Sequence, residues 1–329
     1  MQQCTAKISV VIPTHNRPTM LAEALASVAC QTVDNWEVVV VDDGSTPPVN
    51  LVGLCDRFGP RVRGIRHESA RGGASAKNTG TLTSLGQVIA FLDDDDLYAP
   101  TYLARALDVL DRIPELDVVF MGVSWFGSAA DWADGAYQRA MMNALGLAKG
   151  IEIEPGLIRF GPELFGTLLS TVPMAFQRPV VRRKAFERIG DYAANCLLWD
   201  CDWAIRAALR TRTALITDGL YRQRIDGQGT SSRSDRTLDH LLSGVAIKED
   251  LLNQADAQQL LDDQRRAVKR AAADGWFSLA YFYATQKNDC RNAFSAWLKS
   301  QRHSVVLRRY KFLLRVVACS LRQVVSRVS

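Results

Sequence analysis

The sequence predicts an α/β fold: a mostly parallel sheet with helices on both faces, followed by an all-helical C-terminal region. In the first half, short β-rich runs alternate with helical patterns, which is typical of strands joined by crossover helices. Two of these runs, Trp36–Val41 and Val88–Leu92, are almost continuously apolar, as expected of strands covered on both faces. From Thr237 onward the pattern is helical without a strand signal.

Taken in order, the elements give a β-α-β-α-β series. Strands are expected at Ile8–Ile12, Trp36–Val41, 62–66, Val88–Leu92, Val118–Phe126, 174–182 and 213–217. Helices are expected at Leu21–Ala29, 73–85, from Pro100 to Ile113, 183–189, 200–210, Trp276–Thr285 and Cys290–Ser300. Residues 127–160 are interpreted as a connector with some helix. The domain boundary is expected at 235, which separates an α/β domain (1–235) from the helical region (236–329).

Composition restricts the class of protein. Of 329 residues, 47% are hydrophobic and 23% charged, which excludes wholesale disorder and is typical of a soluble globular protein. Seven scattered cysteines without a Cys-x-x-Cys pair predict neither a disulfide framework nor a zinc site. The start MQQCTAK lacks a signal-peptide pattern, and no apolar stretch reaches about 18 residues. A cytoplasmic protein is therefore expected.

Charge is divided unevenly along the chain. Nine of the 40 basic residues follow Asp289, and no acidic residue does. The remaining 31 basic and 35 acidic residues give residues 1–289 a net charge of −4. We therefore expect no nucleic-acid partner for the body, and any attraction to phosphate-rich surfaces belongs to the tail.

Polar residues gather where three predicted strands end. The first strand runs into 13–18 (PTHNRP), the second into Asp42-Asp43, and the fourth into Asp93–Asp96. In a parallel sheet these ends share one edge, where ligands bind. Each of the first two segments could alternatively be only a turn or a helix cap. Four adjacent aspartates repel one another and indicate a Mg²⁺ or Mn²⁺ site shared with substrate phosphates, or alternatively a solvated acidic loop.

Glycines precede the helix expected at 73–85. Arg71-Gly72-Gly73 and Lys77 are typical of a helix start that faces an anion. Neither a P-loop nor a GxGxxG fingerprint occurs, which argues against a P-loop NTPase and a nicotinamide enzyme.

In this order and spacing, these motifs resemble family 2 glycosyltransferases of the GT-A fold, which use nucleotide-diphospho-sugars. The similar segments are 8–18, 36–45, 71–80, 86–100, 178–192 and 199–206. The resemblance implies an inverting, metal-dependent transferase that moves a sugar from a UDP-sugar to a hydroxyl of a glycan or lipid-linked acceptor.

The same resemblance implies donor-binding roles. Asp93 and Asp95 occupy the family's DxD positions, the first near the ribose and the last on Mn²⁺ or Mg²⁺; the extra Asp94 leaves the division of roles open, and both Asp93 and Asp95 are candidate metal ligands. Residues 221–224 (YRQR) resemble the family's Tyr-Arg-x-His stretch, with Arg224 in place of His, and Arg222 or Arg224 would meet the pyrophosphate. The full donor-binding set is Pro13, Thr14, Arg17, Asp42, Lys77, Asp93, Asp94, Arg222 and Arg224.

The resemblance places the general base at Asp200. Trp199 stands where the family carries glutamate, so Asp202 is an alternative base, and Asp200 could alternatively cap the helix. Inverting transfer needs one base for the acceptor hydroxyl. It needs no second carboxylic acid, because a metal can neutralise the leaving UDP.

Two other classes fit parts of the pattern. A nucleotidyltransferase would need a basic loop after the first strand, where only Arg17 is present. A degenerate transferase domain that binds carbohydrate or acts as a membrane-associated scaffold would fit Trp199 and Arg224. Release of UDP rather than pyrophosphate separates the two enzymes, and any metal-dependent turnover excludes the scaffold.

The C-terminal tail predicts an amphipathic helix over 303–329. On such a helix one narrow face collects Ser304, Arg308, Lys311, Arg315, Arg322 and Ser326. A basic stripe on an apolar helix suits an anionic membrane surface, which would place the protein peripherally on the inner face of the membrane. The alternative is a helix packed on the domain with its basic face in water.

Overall fold

The computed structural model describes residues 6–226, 236–253, 260–313 and 316. These residues form two compact units. The first comprises residues up to 195 together with 199–226, and the second comprises 196–198 together with the described residues from 236 onward.

A ten-stranded sheet forms the first unit. Its strands are β1 (Ile8–Thr14), β2 (Trp36–Asp43), β3 (Val62–His67), β4 (Val88–Phe91), β5 (Leu97–Tyr98), β6 (Val118–Phe126), β7 (Ile151–Glu154), β8 (Leu157–Arg159), β9 (Pro179–Arg182) and β10 (Thr213–Arg224). The order is β3-β2-β1-β4-β9-β6-β10-β8-β7, and β5 pairs with β10.

Strand direction brings the predicted site residues to one edge. β1 pairs in parallel with β2 and β4, β2 with β3, and β6 with β10. β9 runs antiparallel to both of its neighbours, β4 and β6, so those two point the same way. The carboxyl ends of β1, β2, β4, β6 and β10 therefore share one edge, and the expectation of a mostly parallel sheet is confirmed.

Helices cover both faces of this sheet. The helices of the first unit are α1 (Pro18–Ala29), α2 (Leu51–Phe58), α3 (Gly73–Thr83), α4 (Tyr102–Arg112), α5 (Ala130–Ala148), α6 (Glu163–Leu168), α7 (Arg183–Ile189) and α8 (Trp199–Arg210). The alternation of β2 shows the layering: Val38 and Val40 pack with α1 and α4, whereas Val39 and Val41 pack with Ala76 of α3.

Several elements of the first unit differ from the sequence prediction. The connector expected at 127–160 contains the long helix α5 and the β7–β8 hairpin. The strand expected at 174–182 is a 3₁₀ turn, Met174–Gln177, followed by the shorter β9. The strand expected at 213–217 continues to Arg224, because the register shifts between Ile216 and Tyr221 and pairing then resumes.

The second unit is helical. It contains α9 (Thr237–Asn253), α10 (Asp262–Thr285) and α11 (Cys290–His303), followed by a 3₁₀ turn at Leu307–Lys311. Its core includes Val245 of α9, Leu279 of α10 and Trp297 of α11. Within the described residues, no helix is long and apolar enough to cross a membrane.

The helix expected from 303 onward is wrong for the residues that the structure covers. α11 ends at His303, and Ser304 adopts extended backbone angles. Arg309 is buried, where its guanidinium donates to the Ala273 carbonyl at 3.0 Å and pairs with Asp274. The segment after His303 is extended and then forms a 3₁₀ turn, so the predicted stripe is not continuous over 304–311. Its remaining members, Arg315, Arg322 and Ser326, lie outside the described residues.

Candidate active site

The loops that follow β1 and β2 are tied together. The Asn16 amide donates to Ser45 Oγ at 2.9 Å, and Asn16 Oδ1 accepts from the Thr46 amide at 2.7 Å. Asp42 is fully buried. Its carboxylate accepts from the Ser45 and Val49 amides and pairs with Arg66. Although burial opposes it, these hydrogen bonds lower the pKa of Asp42. Asp42 thus shapes the loop, and its role in binding the donor stays a prediction.

Asp43 fixes the start of α3. Its carboxylate accepts from the Arg71 and Gly72 amides at 2.9 and 2.8 Å and from His67 Nδ1 at 2.7 Å. Gly72 has φ +90°, a backbone conformation that favours glycine. The sequence signal Arg-Gly-Gly therefore marks a turn that aims α3, with Lys77 on it, at the strand ends.

Asp93 lies between two buried cations. Its Oδ1 is 2.7 Å from Lys77 Nζ, and its Oδ2 is 3.4 Å from Arg178 Nη1. Lys77 and Arg178 are only 2% and 6% exposed. Burial alone would raise the pKa of Asp93, but Lys77 and Arg178 outweigh it and bring the pKa to about 2. Asp93 is therefore favoured in its ionised form, with both oxygens facing cations.

Asp94 and Asp95 are held from β1 and the loop after it. Thr14 Oγ1 donates to Asp94 at 2.7 Å, and Arg17 Nη1 donates to Asp94 at 3.1 Å and to Asp95 at 2.7 Å. Burial raises the pKa of Asp94 to about 6. Burial, followed by repulsion from Asp93, also raises the pKa of Asp95. The Asp95 side chain remains 26% exposed, so it is the member of this pair that a ligand can reach.

Asp96 joins the acidic run to β10. Tyr221 Oη donates to Asp96 at 2.8 Å and accepts from the Asp93 amide at 3.2 Å. Asp96 also accepts from the Arg224 amide at 2.8 Å. Burial raises the pKa of Asp96 to about 7 despite the nearby Arg178. The second half of β10 therefore holds the acidic loop in position.

The two arginines proposed for the pyrophosphate differ in their surroundings. Arg224 donates to the Asp95 carbonyl at 2.9 Å and pairs with Glu23, so it braces the acidic loop. Arg222 is exposed, and its guanidinium lies 5.5 Å from the Phe126 ring centroid. Across the residues that the structure describes, Arg222 pairs with no carboxylate. Arg222 is thus the cation with capacity for a phosphate.

The two candidate bases are also distinguished. Asp202 is 8% exposed and accepts from Arg206 at 2.7 and 3.0 Å, while Arg206 also donates to the Ile189 and Asp191 carbonyls. Asp202 therefore joins α8 to the end of α7. Asp200 lies in the first turn of α8, and its Oδ1 accepts from the Cys201 amide at 2.8 Å. Its other oxygen has no hydrogen-bond donor in the described part of the chain.

Asp200 and the acidic run act electrostatically on the same side chain, Arg178. Burial lowers the pKa of the Arg178 guanidinium, but Tyr221, Asp93, Asp96 and Asp200 outweigh it and raise the pKa above its usual value. Arg178 thus lies in the field of both the donor carboxylates and the candidate base.

A divalent cation fits this donor set in one way. The described residues contain no cluster of three acidic, histidine or cysteine side chains that could hold a metal by itself. Mg²⁺ and Mn²⁺ in phosphate sites need only one or two carboxylates, with phosphates and water completing the shell. The Asp95 carboxylate is a hard oxygen ligand that is half-buried but accessible. It therefore suits an ion that arrives together with a diphosphate.

Sequence reasoning missed three contributors: Arg178, Tyr221 and Asp96. Arg178 opens a basic segment (RPVVRRK) in which nothing local separates it from its neighbours. Tyr221 was noticed only within the 221–224 motif. The fourth aspartate of the run was the available signal for Asp96.

Comparisons with known proteins bear on the family and the fold of the chain. The sequence model described as Glycosyl transferase family 2 matches residues 9–189. An uncharacterized glycosyltransferase of Rickettsia conorii is 30% identical over 230 residues, which are 70% of this chain and 34% of that protein. The chain thus spans about a third of that relative's length.

Two solved structures are similar in fold. Staphylococcus aureus TarS 1–349 in complex with UDP-GlcNAc has a TM-score of 0.66 at 17% identity, covering 95% of this chain and 88% of that one. A mannosyltransferase of Pyrobaculum calidifontis in complex with GDP-Man and Mn²⁺ has a TM-score of 0.53 at 17% identity, covering 97% and 87%. The expected GT-A fold is confirmed, and because the family match covers more than half of the chain, the protein belongs to glycosyl transferase family 2.

Proposed function

We propose that the protein is an inverting, metal-dependent glycosyltransferase that moves a sugar from a UDP-sugar to a hydroxyl of a glycan or lipid-linked acceptor. The observation that carries this proposal is the Asp93–Asp96 run, held at the sheet edge by Lys77, Arg178 and Arg17. The UDP-GlcNAc bound by TarS supports a nucleotide-sugar donor.

On the donor side, we assign the nucleotide to the loops after β1 and β2, which include Pro13, Thr14, Arg17 and Asp42. Lys77 and Arg222 supply positive charge for the diphosphate. Arg224 braces the acidic loop through the Asp95 carbonyl.

We assign the metal, Mn²⁺ or Mg²⁺, to Asp95. Asp93 is the weaker candidate, because both of its oxygens already face cations. The Mn²⁺ in the Pyrobaculum mannosyltransferase complex supports metal use. When bound with the diphosphate, the ion acts as a Lewis acid that offsets the charge on the leaving UDP.

Asp200 is the proposed general base. Its free carboxylate oxygen would accept the acceptor hydroxyl proton as that oxygen attacks the anomeric carbon from the side opposite UDP. Asp202 is 8% exposed and its Oδ2 is paired with Arg206, which makes it the less accessible proton acceptor. No second carboxylic acid is needed, since the leaving group is a diphosphate.

Peripheral contact with an anionic membrane remains part of this proposal. It rests on the exposed basic residues around α11 rather than on a continuous tail helix. These residues are Arg291, Lys299, Arg302, Arg308 and Lys311. The domain boundary near residue 235 and a cytoplasmic location are likewise proposed.

A panel of UDP-sugars tests the function. Thermal-shift measurements with and without Mn²⁺ identify the donor, and turnover assays with that donor follow UDP and pyrophosphate release. We expect metal-dependent release of UDP. Release of pyrophosphate would indicate a nucleotidyltransferase, and donor binding without any turnover would indicate a carbohydrate-binding scaffold.

A further inference from the structure

Lys77 is a buried ammonium with an incomplete set of polar partners. Its Nζ pairs with one carboxylate oxygen, Asp93 Oδ1, at 2.7 Å. Two aromatic rings also lie near it: the Trp199 ring centroid is 4.6 Å and the Phe91 centroid 5.8 Å from Nζ. A buried cation is costly unless it is compensated, and the face of an indole is the most favourable aromatic partner. Trp199 therefore supplies the second compensating interaction.

Trp199 is itself held against the helix that carries Lys77. A Cβ at Gly73, in the first turn of α3, would lie 3.6 Å from Trp199 Cζ2. The Trp199 ring packs against Tyr192 in an edge-on arrangement, with centroids 5.1 Å apart and planes at 87°. Tyr192 is in turn locked to α3, because its backbone N–H and C=O both bond to the Asn78 side chain, at 2.9 and 2.8 Å.

These contacts join the start of α8 to α3. Trp199 is the first residue of α8, and the proposed base Asp200 is the second. Lys77 and Asn78 are neighbours on α3, and Lys77 reaches Asp93 in the acidic run. One continuous chain of contacts thus runs from Asp93 through Lys77 and Trp199 to Asp200.

We propose that Trp199 is a positioning residue. Its indole face holds the Lys77 ammonium against Asp93, and through its place in α8 it sets the base relative to the donor carboxylates. The inference rests on the proposed function, since it assumes that Lys77 serves the donor and Asp200 the acceptor. If Trp199 only filled space, an apolar side chain without a ring could replace it. If Trp199 positions Lys77, its replacement must keep an aromatic face.

The matched pair Trp199→Phe and Trp199→Leu separates these roles. Phenylalanine keeps a ring face, and leucine keeps apolar volume without one. UDP binding in Mn²⁺, measured by calorimetry, should stay within about threefold of wild type for Trp199→Phe and weaken about 5- to 30-fold for Trp199→Leu, the range of a partly desolvated cation–π contact. With the donor identified in turnover assays, Trp199→Leu should also lower kcat, because Asp200 shifts. Trp132→Leu is the control, since that indole is 73% exposed and should leave UDP affinity unchanged.

A double-mutant cycle keeps the test independent of activity. Lys77→Met, Trp199→Leu and the double variant are compared in urea unfolding, where the cycle should show a coupling of about 3- to 30-fold in the unfolding equilibrium constant. Coupling near unity, or equal UDP affinity in the Phe and Leu variants, overturns the inference alone. Failure of the wild-type protein to bind UDP overturns the proposed function and the inference together.

Discussion

Replacing Asp202 with asparagine should destabilise the protein without removing its activity. The Asp202 carboxylate accepts two bonds from Arg206, at 2.7 and 3.0 Å, and both side chains are largely buried. Removing one partner of a buried ion pair costs about 3–5 kcal/mol, because the remaining charge is left uncompensated. Arg206 keeps its bonds to the Ile189 and Asp191 carbonyls, which favours the lower end, about 3 kcal/mol.

For a unit of this size, each kcal/mol shifts the melting temperature by about 2–4 °C, so the loss should be about 6–12 °C. Thermal unfolding followed by circular dichroism measures it. Turnover at a temperature well below the transition should change less than threefold, since Asp202 is assigned no chemical step.

The matched variant Asp200→Asn should behave in the opposite way. It should unfold near the wild-type temperature, keep its UDP affinity, and lose about 10²–10⁴ in kcat, the usual contribution of a general base. The reasoning is refuted if Asp202→Asn unfolds normally but loses turnover while Asp200→Asn does not. The base would then be Asp202, and the ion pair with Arg206 would open during the reaction.

Three further outcomes are expected. Asp95→Ala should abolish the Mn²⁺-dependent thermal shift by UDP, because it removes the reachable metal ligand, and should leave the melting temperature of the ligand-free protein unchanged. Arg222→Ala should raise the KM for the donor about tenfold without affecting stability, whereas Arg224→Ala should also lower the melting temperature, as it frees the Asp95 carbonyl. Replacing Arg308 and Lys311 with glutamate should weaken sedimentation with phosphatidylglycerol vesicles at low salt.

Each of these three predictions would be contradicted by a specific result. A normal UDP shift in Asp95→Ala would remove its metal role. Unchanged donor KM in Arg222→Ala would move the phosphate contact elsewhere. Wild-type protein that stays in the supernatant with anionic vesicles, or a glutamate variant that sediments equally, would exclude these basic residues from membrane binding.

Local patterns predicted the parallel core of the fold because its strands carry strong signals. Trp36–Asp43 is buried along its whole length, as its nearly continuous run of apolar residues predicts. Helix α2 was not predicted; none of its residues is fully buried, so its sequence carries a weaker signal for a core-facing helix. The second half of β10 was missed because three exposed residues, 217–219, interrupt its pattern before pairing resumes at Tyr221.

The candidate site was predictable where it lies at strand ends, and the rest depends on long-range packing. Arg178 reaches Asp93 only because β9 inserts between β4 and β6, a pairing that neighbouring residues do not encode. Asp202 and Arg206 are a local i, i+4 pair on α8, but the sequence does not show that Arg206 also binds the Ile189 and Asp191 carbonyls. The tail helix was overpredicted because helical periodicity does not show that Arg309 must turn inward to reach Asp274.

The most direct test of the account is a calorimetric titration of UDP into the 329-residue protein, with Mn²⁺ and then with a chelator. The central claim is that the edge formed by Asp93–Asp96 binds a nucleoside diphosphate together with a divalent cation. We expect one UDP per chain in Mn²⁺ and at least tenfold weaker binding once the metal is removed. Equal affinity in both conditions would contradict the metal role, and no binding in either would contradict the assignment of this edge as the donor site.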